Sequence, residues 1–359
     1  MKSIRSWVIV SLIGVTVLLG NAFAATSGSN NFSWTNLDSD MAGVAQFTDP
    51  NLVNPWGMAL SSSNTIWVSD NGKGVATSYN TDGSSTGLVV NIPASASNTE
   101  GANPTGIVAN STSSFKVTKN GNSLASTFIF VSEDGSISGY NAALDPTNAI
   151  IAVDNGGSGA IYKGATIGTA NGHNFLYVAN FHAAKVETYN ENFVLQTTFP
   201  FTDATLPAGF APYGIRQFNG QIFVAYAKQD ADAHDDVAGP GLGFVDVFDT
   251  SGNFVKRLIS QGNLNAPWGL AEAGGFGSFS NALFVGNFGD GKINVYDPSN
   301  GTLLGTLMNH AGTAPLAFDG LWDLLFVGNQ LFFSAGIGDE QHGLFGVIDQ
   351  GNSAHRHRH

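Results

Sequence analysis

Short apolar runs, each closed by a polar cluster, recur along the chain in a fixed order. One recurring phrase is Pro-aromatic-Gly followed by a brief apolar stretch. It stands at Asn54-Pro55-Trp56-Gly57, Asn103-Pro104-Thr105-Gly106, Ala211-Pro212-Tyr213-Gly214 and Ala266-Pro267-Trp268-Gly269. Weaker copies are Ile161-Tyr162-Lys163-Gly164 and Gly320-Leu321-Trp322-Asp323. A second phrase follows each copy, an apolar strand with a polar end. Examples are Ile66-Trp67-Val68-Ser69-Asp70, Phe128 to Glu133, Phe175 to Asn180 and Leu283 to Asn287. A third strand then ends in Tyr or Phe before Asn or Asp, as in Ala76 to Asn80 and Ile293 to Asp297. Alternation bounded by turn residues marks these segments as strands. Six units of about 50 residues, each with three or four short strands, predict an all-β, six-bladed β-propeller. Little chain follows Ile348 to complete the last blade, so the segment Ser33 to Gln46 is expected to supply its outer strand and close the ring. Helices should be nearly absent.

Composition agrees. Gly is 45 of 359 residues, aromatics are 11% and charged residues 11%. That charged share is less than half the usual value of about 25%, which excludes a disordered chain. Collagen is excluded because the Gly lacks a three-residue period.

The first residues read as an export signal, with Lys2 and Arg5 ahead of an apolar stretch from Trp7 to Gly20 and Ala22-Phe23-Ala24 as a cleavage site. The expected organisation is a signal peptide over 1–24, one propeller over 25–349 and a disordered His/Arg tail over 350–359. No later segment is apolar enough to span a membrane. The expected location is periplasmic or extracellular, and a monomer is expected. Removing Lys2 and Arg5 takes the formal charge from −13 to −15, which argues against nucleic acid and anionic lipid as partners. Cysteine is absent, so disulfides, covalent haem c, thiolate metal sites and cysteine nucleophiles are excluded. No phosphate-cradling loop or Rossmann fingerprint appears, so no nucleotide is expected.

In a propeller both recurring phrases deliver their polar ends to one mouth of the central channel. A cup with convergent polar groups is the default binding site. The ligand-binding candidates are Trp56, Asn103, Tyr213, Lys228, Trp268 and Trp322. Asp and Asn at strand ends also serve as turn formers, and the aromatics as packing. Asp339, Glu340 and His342 lie within Gly338 to Gly343, and His182 follows a strand end. These four are the candidate acid–base residues. The loop Lys228 to Asp236 is acidic, and Asp230 and Asp232 are its candidate ligands for Ca2+ or another divalent cation. It lacks the Gly and closing Glu of an EF-hand.

The runs Phe47 to Gly57, Tyr226 to Gly241, Gly286 to Gly291 and Asp339 to Phe345 resemble a family of exported bacterial propeller proteins with no established activity. Some members of that family carry a C-terminal sorting signal for the exosortase system, a motif not found after Ile348. More distantly, the blades resemble NHL repeats and gluconolactonase-like propellers. That resemblance implies a divalent metal in the channel, with Glu133, Asn180 and Asn287 or Asp290 as its ligands, and hydrolysis of lactones or phosphoesters. Two readings follow. One is an exported protein binding a glycan, peptide, protein or small molecule through the cup. The other is a metal-dependent hydrolase or lyase.

Overall fold

The computed structural model describes residues 30–350. The expected signal peptide and almost all of the expected tail lie outside the described residues. The rest is a six-bladed β-propeller. Five blades are four-stranded antiparallel sheets whose inner strands are Pro55–Leu60, Pro104–Ala109, Tyr162–Ala170, Phe210–Phe218 and Pro267–Phe276. The sixth has Leu321–Val327 innermost. Its outer strand is Asn31–Ser39, which runs antiparallel to Leu344–Gln350 with Trp34 opposite Ile348. The chain's first described strand thus closes the ring, as expected. Only two short 3-10 turns, Asn71–Lys73 and Gly156–Ser158, interrupt the strands among the described residues.

The apolar runs are unbroken because each blade is buried on both faces. In the strand Phe128–Ser132, Phe128 and Phe130 pack against Trp67 of blade one, whereas Ile129 and Val131 pack against Tyr162 and Val178 of blade three. Period-2 alternation therefore sorts side chains between two neighbouring cores rather than between core and water. Each such side chain contributes about 2 kcal/mol on burial.

One hairpin, Lys116–Lys119 paired with Asn122–Ala125, is inserted in blade two and was not anticipated. Its turn is Asn120-Gly121, both at positive φ, the geometry of the two-residue hairpin turn.

At the axis the inner strands come very close. A Cβ placed on Gly214 would lie 2.0 Å from the Trp268 carbonyl oxygen, and one on Gly57 would lie 2.7 Å from that of Thr105. The glycine of the repeated phrase is a requirement of this close approach. We expect Gly214→Ala to cost about 3 kcal/mol in urea unfolding, since neither the added carbon nor the backbone it meets can move away.

Between blades one and six, Asp38, Asp49 and Asp70 are buried near one another, and no ion pair forms with any of them among the described residues. Burial pushes Asp38 up to about 6 and Asp70 well above the carboxylate range, with Asp49 adding repulsion to both. A raised carboxyl keeps its proton in the folded chain where the unfolded chain, with a pKa of about 4, has lost it. Stability from this cluster therefore rises as pH falls from about 7 towards about 5. Scanning calorimetry should show a higher Tm at about pH 5 than at about pH 7.5. Asp38→Asn with Asp70→Asn should raise the Tm at the higher pH and flatten that slope.

Candidate functional site

Every blade carries a register irregularity at the same place, immediately after Pro55, Pro104, Tyr162, Pro212, Pro267 and Leu321. Bulges re-aim the side chain that follows them. The six residues at that next position are Trp56, Thr105, Lys163, Tyr213, Trp268 and Trp322.

Four of the six are aromatic and form a packed plug rather than open walls. Trp56 stacks on Trp322 with ring centroids 3.4 Å apart, and Phe288 stacks on the same ring at 4.1 Å. Tyr213 and Trp268 meet Trp56 edge-on at 6.4 and 6.0 Å. All four expected aromatic ligand contacts are buried, Trp322 at 1% exposure. The axis is too narrow to leave ring faces free.

Lys163 holds the one charged side chain of the ring, at 1% exposure. Its ammonium lies over Trp56, Phe181 and Tyr213, at 5.0, 5.7 and 5.9 Å from their centroids, a favourable place for a cation. It donates to Glu133 Oε1 at 2.5 Å and pairs with Asp235 at 3.4 Å. Burial alone would pull the Lys163 pKa down, but Glu133 and Asp235 outweigh it and hold it above the lysine range. Burial raises Asp235 less than Lys163 and His234 lower it, so it stays below the carboxylate range.

From this pair a polar chain runs round the mouth. Asn71 Nδ2 donates to Glu133 Oε2 at 2.8 Å, and Asn54 Nδ2 to Asn71 at 3.4 Å and to Glu340 Oε2 at 2.7 Å. Trp322 donates its indole N–H to Asn54 at 2.9 Å, tying chain to plug. Tyr213 donates to Asp236 at 2.7 Å, and burial lifts the carboxyls of both Asp236 and Glu340.

Above this layer a cavity of about 640 Å3 opens between blades two and three and the loop after Lys228. Asn103, Glu133, His182 and Asp232 line it, joined by Glu100, Asp134 and His234. Other expected site residues lie elsewhere. Asn180 is spent on Glu187 at 2.9 Å. Asn287 and Asp290 contact each other at 3.0 Å, beside blade five. Lys228 lies over Phe210. Asp230 accepts the His234 backbone N–H at 2.9 Å, as a turn former. Asp339 is exposed in a left-handed turn, with φ 53°. His342 pairs with Asp40 at 2.8 Å. Glu340, Glu133 and Trp322 are thus expected residues joined through the polar chain.

Lys163, His234, Asp235 and Asp236 were missed as site residues. The signal for Lys163 was its place at the phrase position that holds an aromatic in four other copies. Ligand atoms of Glu133, His234 and Asp235 lie within 4.8 Å of one another, a set of donors suited to a divalent cation.

The fold and the mouth define a six-bladed propeller protein with a plugged axis and an acidic cup. It belongs to one family with two uncharacterized proteins of Acanthamoeba polyphaga mimivirus, R648 and L690. R648 is 30% identical over 94% of this chain and 85% of its own length, and L690 is 30% identical over 85% and 82%. These relatives give no support to the exported bacterial family. No family model matches the chain. Among solved structures, virginiamycin B lyase from Staphylococcus aureus is similar with a TM-score of 0.52, 15% identity and coverage of 89% of this chain and 99% of that one. A streptogramin B lyase gives 0.51, 13%, 89% and 98%. At these identities the likeness shows the fold. Among the described residues no helix is long and apolar enough to cross a membrane.

The buried pair should behave as a unit. Lys163→Met alone should cost about 3 kcal/mol by urea unfolding, because it strands the Glu133 carboxylate. Lys163→Met combined with Glu133→Gln should recover much of that loss.

Proposed function

We propose that the protein is a binding protein that takes a small amine-bearing molecule in the cup at the plugged mouth. The observation that carries this reading is the cavity's charge. Glu100, Glu133, Asp134 and Asp232 line it with two histidines, and no lysine or arginine does. A pocket of that volume suits a small ligand, and a cation supplies the missing charge. The overall charge of −13 adds long-range attraction for it. Lys163 is below the floor and buried, so it offsets the deepest carboxylates without cancelling the rim.

The metal-dependent hydrolase or lyase reading rests on the Glu133, His234 and Asp235 cluster. The virginiamycin B lyase and streptogramin B lyase of similar fold are enzymes by name. Against it, Lys163 already engages both carboxylates of that cluster, and His234 Nδ1 sits 2.9 Å from the same Asp235 oxygen. A divalent ion would have to displace a buried ammonium. Export and a monomeric state belong to the same proposal, and export rests on the sequence of residues 1–24.

Calorimetric titration at low salt with spermidine, glucosamine and glucose separates the readings. Saturable binding of an amine but not of glucose is expected. Glu100→Gln with Asp232→Asn, both on the exposed rim, should weaken it about tenfold, the loss of one charge-assisted contact. Equal binding of glucose, or no change in the variant, overturns the reading. One divalent ion per purified chain by mass spectrometry, lost in His234→Ala, would favour the enzyme.

A further inference from the structure

The opposite mouth of the channel has a different chemistry. In five blades the repeated phrase ends in glycine, but in the sixth the matching residue is Asp323. Its buried carboxylate accepts the backbone N–H of Met58 at 2.7 Å and of Leu324 at 2.8 Å. Across the axis it holds Arg216 of blade four, whose Nη2 donates to both its oxygens at 2.6 and 2.8 Å. Both hydrogen bonds of Arg216 use that one nitrogen, which leaves Nε and Nη1 for another partner. The side chain is 22% exposed and lines a cavity of about 290 Å3. The walls there include half-buried Leu60, Val108, Ile167 and Leu325, and no other charged residue lines it.

We infer that this far mouth is a second ligand site, for a small monocarboxylate with an apolar tail. With Nη2 engaged, Nε or Nη1 offers a carboxylate a single charge-assisted hydrogen bond, and Asp323 fixes the plane in which the guanidinium lies. The apolar walls suit a hydrocarbon tail. A monoanion fits better than a phosphate, because a single arginine faces the cavity and Asp323 stands behind it. The aromatic plug separates this site from the acidic cup, so the two would fill independently.

The probes are octanoate, octanol and octylamine, titrated into the full chain by calorimetry. Tryptophan emission gives a second readout, since Trp268 lines the small gap next to Arg216 and Asp323. Octanoate should bind one per chain, and octanol and octylamine about tenfold or more weaker. Arg216→Lys keeps the charge beside Asp323 but has one nitrogen, which Asp323 engages, and should weaken octanoate about tenfold. If that variant does not fold, Arg216→Gln with Asp323→Asn removes the pair without stranding a charge and should show the same loss. Glu100→Gln with Asp232→Asn, at the other mouth, should leave octanoate binding unchanged. Failure of octanoate to bind at millimolar concentration, equal binding of octanol, or undiminished binding by the folded arginine variant would each overturn the inference.

Discussion

The approach of six inner strands to one axis is the constraint on which the structure depends. The strands come so near that a Cβ at Gly214 would overlap a neighbouring carbonyl oxygen. The bulge before each glycine then turns one side chain per blade into the little space that remains. Five of those side chains are aromatic or threonine and carry no charge. The sixth is Lys163, and a buried ammonium must be paired. Glu133 and Asp235 meet that need, Asn71 and Asn54 satisfy the remaining oxygens, and Glu340 ends the chain. The polarity of the mouth thus follows from one cation at one position of a ring.

Much of this was legible in the chain itself. The repeated phrases gave the number of blades, and a strand-like segment ahead of the first phrase pointed to closure by the first strand. The mouth to which polar ends converge was also legible, because strand direction alone sets it. What the pattern could not convey was the depth of each side chain. An aromatic before glycine reads equally as wall or plug, and the distance between neighbouring strands decides between them. Trp56 and Trp322 are plug because that distance is minimal.

Other gaps have local causes. The loop after Lys228 folds back on itself through the bridge between Gln229 and Asp236. Its return leg, Asp235 and Asp236, therefore reaches the axis, while Asp230 stays outside to cap the turn. Four acids close in sequence look equivalent until the fold-back is known. The hairpin at Asn120-Gly121 carried a plain turn signal that the stronger fifty-residue repeat obscured. Arg216 was hidden differently, since its meaning depends on Asp323, more than a hundred residues away.

The plug also divides the molecule electrically. On one side a buried ammonium sits beneath a rim of carboxylates, so the open surface is acidic. On the other a buried carboxylate sits behind a partly buried guanidinium, the one charged group that lines the cavity there. At each mouth the hidden charge is opposite to the groups it pairs with, Lys163 with Glu133 and Asp235, and Asp323 with Arg216. Burial of an unpaired ion is costly, so each hidden charge needs the partner it has at its mouth. The aromatic stack between them, tied to the acidic side by the Trp322 indole N–H on Asn54, keeps the two arrangements from neutralising one another through the channel.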